Sequence, residues 1–374
     1  MRTLAEGHAF LPPSGAHIWG PGGCAFYPTM NASQPQEESE AAREGTAAHH
    51  LLARRLEGKP WAVGDVTPNG EIVNQEMVDC TDEAVRFIEG IRGRLQELGW
   101  TETSVSIPAI HPQCWGTPDW FLVDEIGYNV YIVDYKHGHR FVSPWESYQL
   151  VPYALGALTK VGATLSPEWS FHLTIIQPRS YHPQGIVKTW TARGDRIMKM
   201  ADALRQAAIA AMHPTPPMST GDHCNDCDGR WRCPMFQRVV GGALDVSGVS
   251  LPAVLTPEAI GTMRTMVSTA LKRLEGMATG LDAQVERMAR DGKTVPGWEL
   301  GTTNSRTVWK VGLDEVYALG DMLGVELRKP GALTPKQAID AGLDGSVISA
   351  YSDTPPGKIK VKPSDANAAR RAFD

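Results

Sequence analysis

The stretch Gly116-Thr117-Pro118-Asp119-Trp120-Phe121-Leu122-Val123, the turn Asp124-Glu125-Ile126-Gly127, and the run Tyr128-Asn129-Val130-Tyr131-Ile132-Val133 into Asp134-Tyr135-Lys136 decide the fold. Aromatic and β-branched residues crowd both runs, so the sequence predicts one strand over 115–123 and a central strand over 128–133, joined as a hairpin. Side chains alternate faces along a strand, which puts Asp134 and Lys136 on one side and Tyr135 on the other. The hairpin brings Asp119, at the head of the first strand, beside them. Charged residues at the end of so apolar a strand have no packing reason to sit there.

Such a trio suits the cleavage of a phosphodiester. A hard divalent cation, Mg²⁺ or Mn²⁺, takes carboxylate oxygens and lowers the pKa of an attacking water. Asp119 and Asp134 are the candidate carboxylates. A protein cation must also offset charge that grows in the transition state, and Lys136 is placed for that.

Helices are expected on both sides of this hairpin. The segment EESEAAREGTAAHHLLARRLEG, from Glu37 to Gly58, is rich in Ala, Glu and Leu and stops at Gly58-Lys59-Pro60. Val85, Ile88, Ile91 and Leu95 recur at helical spacing within a predicted helix over 82–98. Strands are expected over 104–110 and 169–177, and helices over 146–158 and 193–212. The result is an α/β fold with a mixed central sheet flanked by helices. Beyond about residue 245 the character changes. A long amphipathic helix starts at Thr256-Pro257-Glu258 and ends at Asp291-Gly292, its apolar face needing either the core or a dimer seam. A β-hairpin over 298–309, a short helix from Thr334-Pro335 and a basic tail complete this C-terminal helical and hairpin extension. The domain reading is therefore 1–245 and 246–374.

Composition is that of a soluble globular chain, with 42% hydrophobic and 21% charged residues among 374. No apolar run nears the roughly 20 residues of a membrane helix, and the N-terminus has no signal pattern, so no membrane partner and a cytoplasmic location are expected. The formal net charge of −6 lends no support to a nucleic-acid partner, although a local basic groove can exist on an acidic protein. The segment Lys358-Ile359-Lys360-Val361-Lys362 with Arg370-Arg371 is the clearest basic cluster, either a solvated tail or a DNA contact.

Six cysteines without a secretion signal do not read as a disulfide framework. Cys80 and Cys114 stand alone, but Cys224-x2-Cys227-x5-Cys233-Pro234 forms a cluster, with Cys24 some 200 positions upstream. Four thiolates hold either zinc or a [4Fe–4S] cluster, and His223 offers a Cys₃His alternative. Tying Cys24 to the other three would close a loop around the whole candidate core.

The order Gly45-x3-His49, Gly116-x2-Asp119, Asp134-x-Lys136, Gln149-x3-Tyr153 resembles the RecB-like branch of the PD-(D/E)XK nuclease superfamily over about residues 10–240. The resemblance implies a restriction-endonuclease-like core in which His49, Asp119 and Asp134 hold the metal. It further implies that Lys136 assists the water, and that Gln149 and Tyr153 support the site. Asp at 134 in place of the commoner Glu, and Pro152 within the Gln149–Tyr153 helix, depart from the usual pattern. The one-plus-three cysteine layout is similar to the iron–sulfur staple of AddB-type nuclease subunits and CRISPR-adaptation exonucleases, which implies a [4Fe–4S] cluster on Cys24, Cys224, Cys227 and Cys233. The C-terminal region resembles RecB-like nucleases of phages and prophages, which would act in the bacterial host cytoplasm. The implied function is a metal-dependent DNA exonuclease working from single- or double-stranded ends in recombination or DNA processing, beside a single-strand annealing protein. A structure-specific endonuclease and a non-catalytic DNA-binding adaptor are the alternatives.

Overall fold

Pro118 decides where the main sheet begins. In the computed structural model, which describes residues 9–33, 40–180, 182–247, 256–302, 308–327, 333–354 and 359–363, the strand expected over 115–123 is two strands. Proline has no N–H to give a ladder, so the pairing breaks around it. Before the break, β2 (Val105–Ser106) and β3 (Trp115–Gly116) form a separate small sheet, to which the strand expected over 104–110 shrinks. After it, β4 (Trp120–Asp124) enters the central sheet beside β1 (Trp100–Thr101).

The described chain starts with short helices α1 (Ala16–Trp19) and α2 (Tyr27–Ala32), followed by α3 (Glu40–Leu56) and α4 (Gln75–Leu95). Helix α4 begins seven residues before the expected start, because the Asn74 side chain accepts a hydrogen bond from the Met77 N–H at 2.9 Å and caps it there. The central strand β5 (Asn129–Tyr135) carries Asp134 within it rather than beyond it. Helix α5 (Leu150–Val161) starts later than expected, since Ser147 Oγ accepts from the N–H of both Gln149 and Leu150 at 3.3 Å. Pro152 is thus the third helical residue, in the first turn where a missing N–H costs nothing.

Strands β6 (Ser170–Ile176) and β7 (Val187–Arg193) complete a five-stranded sheet ordered β1-β4-β5-β6-β7. The β5–β6 pair is parallel and the other neighbours are antiparallel, so the sheet is mixed. Helix α6 (Gly194–Met212) follows, then α7 (Pro234–Ser247) and α8 (Pro257–Arg290). One face of the sheet, with Val130, Ile132, Phe171, Leu173 and Trp190, packs with α5 and α6 residues such as Leu155 and Leu204. The opposite face, with Val133, Tyr135 and Ile176, packs with Leu52 of α3 and Ile88 of α4. This is an α/β fold with helices on both faces of a mixed sheet.

The chain divides into two compact units, Met1–Arg273 and Leu274–Asp374. On α8 the apolar residues Ile260, Val267 and Leu271 are about half exposed. In the second unit, β8 (Trp298–Thr302) and β9 (Val308–Trp309) do not pair as the expected hairpin. Helices α9 (Leu313–Leu323), α10 (Pro335–Asp340) and α11 (Gly345–Tyr351) come next, then β10 (Ser352–Asp353) and β11 (Ile359–Pro363). Strand β8 pairs with β11 and β9 with β10. The alternation in Ile359-Lys360-Val361-Lys362 is a strand pattern, and this part of the segment read as a basic tail supplies the partner that β8 takes, while Lys358 lies outside the described residues. Arg370 and Arg371 lie outside the described residues.

No helix among the described residues is long and apolar enough to cross a membrane.

Candidate active site

The β4–β5 ladder runs from Asp124↔Asn129 to Trp120↔Val133 and is then continued by a side chain. Asp119 Oδ2 accepts the backbone N–H of Tyr135 at 2.6 Å, taking the acceptor role that a backbone carbonyl would otherwise play. Its other oxygen pairs with His49 Nδ1 at 2.9 Å, so α3 and the sheet meet at this carboxylate. Burial would raise the Asp119 pKa, but His49, Lys136 and the Tyr135 N–H outweigh it and hold the carboxyl below its ordinary value. The same pairing raises His49 against the opposing effect of burial.

Asp134 lies on the opposite face of β5 from Tyr135, as alternation requires. Gln149, at the start of α5, donates from Nε2 to Asp134 Oδ1 at 2.7 Å, and Lys136 Nζ lies 2.9 Å from Asp134 Oδ2. Burial, with the Asp119 charge added to it, raises the Asp134 pKa although Lys136 opposes the shift. Burial would lower Lys136, but Asp134 and Asp119 keep it above its ordinary value and therefore charged. Tyr153, one turn along α5 from Gln149, is buried, and burial followed by the nearby Asp134 and Asp119 charges raises its pKa well above 10. The five residues Asp119, Asp134, Lys136, Gln149 and Tyr153 therefore converge with His49 at one end of the sheet.

Two motif glycines differ in what they do. A Cβ on Gly116 would sit 3.0 Å from both Tyr153 Cε1 and Pro13 Cδ, so only glycine lets the Tyr153 ring pack beneath this strand. Around Gly45 there is open space, and nothing in the structure demands glycine there.

One functional residue escaped the sequence reading. Glu102, just after β1, offers a carboxylate oxygen that lies within 4.8 Å of ligand atoms on both His49 and Asp119. Its backbone N–H donates to Asp119 O at 3.0 Å, and its φ of 41° is in the left-handed region that non-glycine residues seldom adopt. Although Glu102 still reaches solvent, desolvation by its neighbours, then the Asp119 and Asp134 charges, push its pKa up to about 8 against the pull of His49. Neither periodicity nor motif marks Glu102; only a two-residue edge strand and its turn carry it to the site. A cleft of about 530 Å³ opens here, lined by His49, His50, Arg54, Trp61, Glu102 and Asp119. Arg54 lies over the Trp61 ring, 5.4 Å from its centroid.

Behind the site, Glu44 accepts from Arg179 Nη1 at 3.0 Å and faces His137 Nε2 at 3.7 Å, while His137 Nδ1 is 2.8 Å from the Tyr135 hydroxyl. These contacts brace the strand end from the α3 side.

The four cysteines grouped in the sequence reading line a pocket of their own. Cys24, Cys224, Cys227 and Cys233 line one pocket with Ile18, Phe26, Tyr27, Met30, His223 and Phe236. All six cysteines are free thiols, and Cys80 and Cys114 are buried elsewhere in the two sheet-face cores. Burial, and then neighbouring thiols, push Cys227 up to about 12 and raise Cys224. Ser219 Oγ donates to Gly23 O at 2.7 Å, and Arg232 donates to Ser33 Oγ at 2.6 Å, so hydrogen bonds already join the two distant segments. Arg140, shortly after β5, pairs with Asp226 inside the Cys224–Cys227 loop.

A crystal structure from Eubacterium rectale, of a protein provisionally named an exonuclease, aligns over 56% of this chain and 84% of its own, at 13% identity and a TM-score of 0.33. That likeness is too slight to carry an argument. No curated protein matches the chain. Residues 8–320 match the family described as "Protein of unknown function (DUF2800)", and with most of its length matched the chain belongs to that family.

Proposed function

We propose that this protein is a metal-dependent DNA exonuclease with a PD-(D/E)XK core and a structural [4Fe–4S] cluster. The observation that carries the reading is the pairing of Asp134 with Lys136 and Gln149 beside the His49–Asp119–Glu102 group. The donor set fits a hard divalent cation, since it offers carboxylate oxygens and one imidazole. Asp119, His49 and Glu102, with Asp134 beside them, would hold Mg²⁺ or Mn²⁺. Bound there, the cation would polarise the phosphate and make water a nucleophile at neutral pH.

The chain's own residues do the rest. Lys136 stays charged and offsets the negative charge that grows on the phosphoryl oxygens. Gln149 fixes one oxygen of Asp134, so the carboxylate keeps a single orientation. Tyr153, kept neutral, packs under Gly116 and holds the head of the strand at a fixed depth.

The cysteine pocket fits four-thiolate ligation, with apolar walls and hydrogen-bonded loops on both sides. Structural zinc sites draw their ligands as two close pairs, whereas here one thiol stands far upstream of three, and this layout supports the larger inorganic core. Such an enzyme would act on DNA ends in the host cytoplasm of a phage or prophage, beside a single-strand annealing protein.

The test compares wild type with Lys136→Ala on end-labelled linear DNA with Mn²⁺, and on supercoiled circles. An exonuclease degrades the linear DNA, spares circles and loses at least about 10²-fold in rate on losing Lys136. Equal rates for the two proteins would show that the site is elsewhere.

A further inference from the structure

Lys188, on β7, has no visible reason to be where it is. It is 5% exposed, and its ammonium is buried without a hydrogen bond. Lysine in a half-buried strand ordinarily extends its head to water, but this Nζ does not. Its company is the face of Phe141, whose ring centroid lies 5.0 Å away. A cation over phenylalanine recovers less than the cost of removing three N–H donors from water.

Lys188 also lines a cavity of about 400 Å³ with Ser143, Trp145, Gln184, Thr189 and Trp190, and no carboxylate stands in its wall. Trp145 is 66% exposed and lies 5.5 Å from the Trp190 ring. An exposed indole at a cavity mouth offers a flat face on which a base can stack.

Sheet register places this cavity relative to the acidic end. Asp134 is opposite Ile175, and Ile175 is opposite Lys188. Directly opposed residues share a face, so Asp134 and Lys188 stand in one row, two strand spacings or about 10 Å apart. Two points that far apart lie within reach of one short run of nucleic acid.

We propose that Lys188, Trp145 and Trp190 form a subsite for single-stranded DNA, Lys188 turning its ammonium from the Phe141 ring to a phosphate and Trp145 stacking a base a short way along the strand from the bond cut at Asp134 and Lys136. The single strand follows from the stacking, because inside a duplex every base is already stacked on both faces and only the terminal pair has one to offer Trp145. The location of the cut rests on the nuclease reading; the binding does not.

The experiment measures binding of labelled oligothymidylate and of a blunt duplex to the full-length protein in Ca²⁺, which avoids turnover. Trp145→Ala should weaken single-strand binding about tenfold. Lys188→Met, which keeps volume and removes charge, should weaken it about fivefold and reduce the log–log salt slope by about 0.7. Lys188→Arg should restore most of it. Lys188→Met should also melt above wild type, since it relieves an unbonded buried ammonium, so lost binding could not be blamed on unfolding. Single-strand affinity within twofold of wild type in both variants overturns the proposal, as does an equal loss for the duplex. Weakened binding in a protein that never cuts DNA keeps the subsite and discards the nuclease reading; cutting with unchanged binding does the reverse.

Discussion

The acidic end of the sheet and the cysteine pocket both gather candidate ligands, yet only the first holds its side chains in place unaided. Asp119 is fixed by His49 and the Tyr135 N–H, and Asp134 by Gln149 and Lys136. In the pocket, Gly221 N–H reaches Cys224 Sγ at 3.4 Å, while burial and mutual proximity raise Cys224 and Cys227. A site preorganised by protein hydrogen bonds depends little on its ion for shape. A pocket of thiols facing one another depends on what they bind. The difference predicts that one ligand serves turnover and the other serves the fold.

The largest expected effect breaks this comparison if it fails. EDTA should abolish DNA cleavage, more than about 10³-fold, while the melting temperature moves by only a few degrees. Cys24→Ala should do the opposite to the fold, costing several kcal/mol and the brown colour of anaerobically purified protein, which should hold about four irons per chain. Cys80→Ala, outside the pocket, should keep iron. Stoichiometric zinc in colourless protein, or a Cys24→Ala variant as stable as wild type, would undo the contrast.

Next in size is Glu102. If its carboxylate completes the group with His49 and Asp119, Glu102→Gln should weaken Mn²⁺ about tenfold, read by calorimetry without DNA. Lys136→Ala should leave Mn²⁺ affinity within about threefold, because a charge-stabilising group is not a ligand. Unchanged affinity in Glu102→Gln would return the ion to Asp119, His49 and Asp134.

What the sequence disclosed follows the same division. Asp134 and Lys136 were legible because strand alternation is a local rule, and their convergence with Asp119 needed only one turn. The cysteine grouping was legible from spacing and compartment. Glu102 was not, because a positive φ and a two-residue edge strand bring it in, and neither leaves a pattern. Strand β7 went unread because Lys188 occupies the buried phase of Val187-Lys188-Thr189-Trp190-Thr191-Ala192, masking the alternation. The hairpin over 298–309 failed for a non-local reason, since the partners of both strands come from beyond residue 350. Helix boundaries at Asn74 and Ser147 were set by single side-chain caps that hydrophobic periodicity does not report.

The smallest effect concerns how the acidic end is braced. Glu44 faces His137 Nε2 at 3.7 Å and accepts from Arg179, and the two, against burial, lower its pKa from 4.5 to about 2. A depressed carboxyl stabilises the fold fully above its unfolded pKa and loses that contribution as pH falls through the folded one. The window is therefore about pH 4.5 down to about pH 2. Glu44→Gln should flatten the pH dependence of unfolding there by on the order of 1–2 kcal/mol after solvent screening, with little change near neutrality beyond that offset. Because Glu44 reaches the site only through His137 and the Tyr135 hydroxyl, Mn²⁺ affinity in this variant should stay close to wild type. Denaturant titrations of the two proteins at pH 3 and pH 6 give the answer. Parallel stability curves across that interval would mean that Glu44 is not held as a carboxylate, and that the strand end is braced by Asp119 alone.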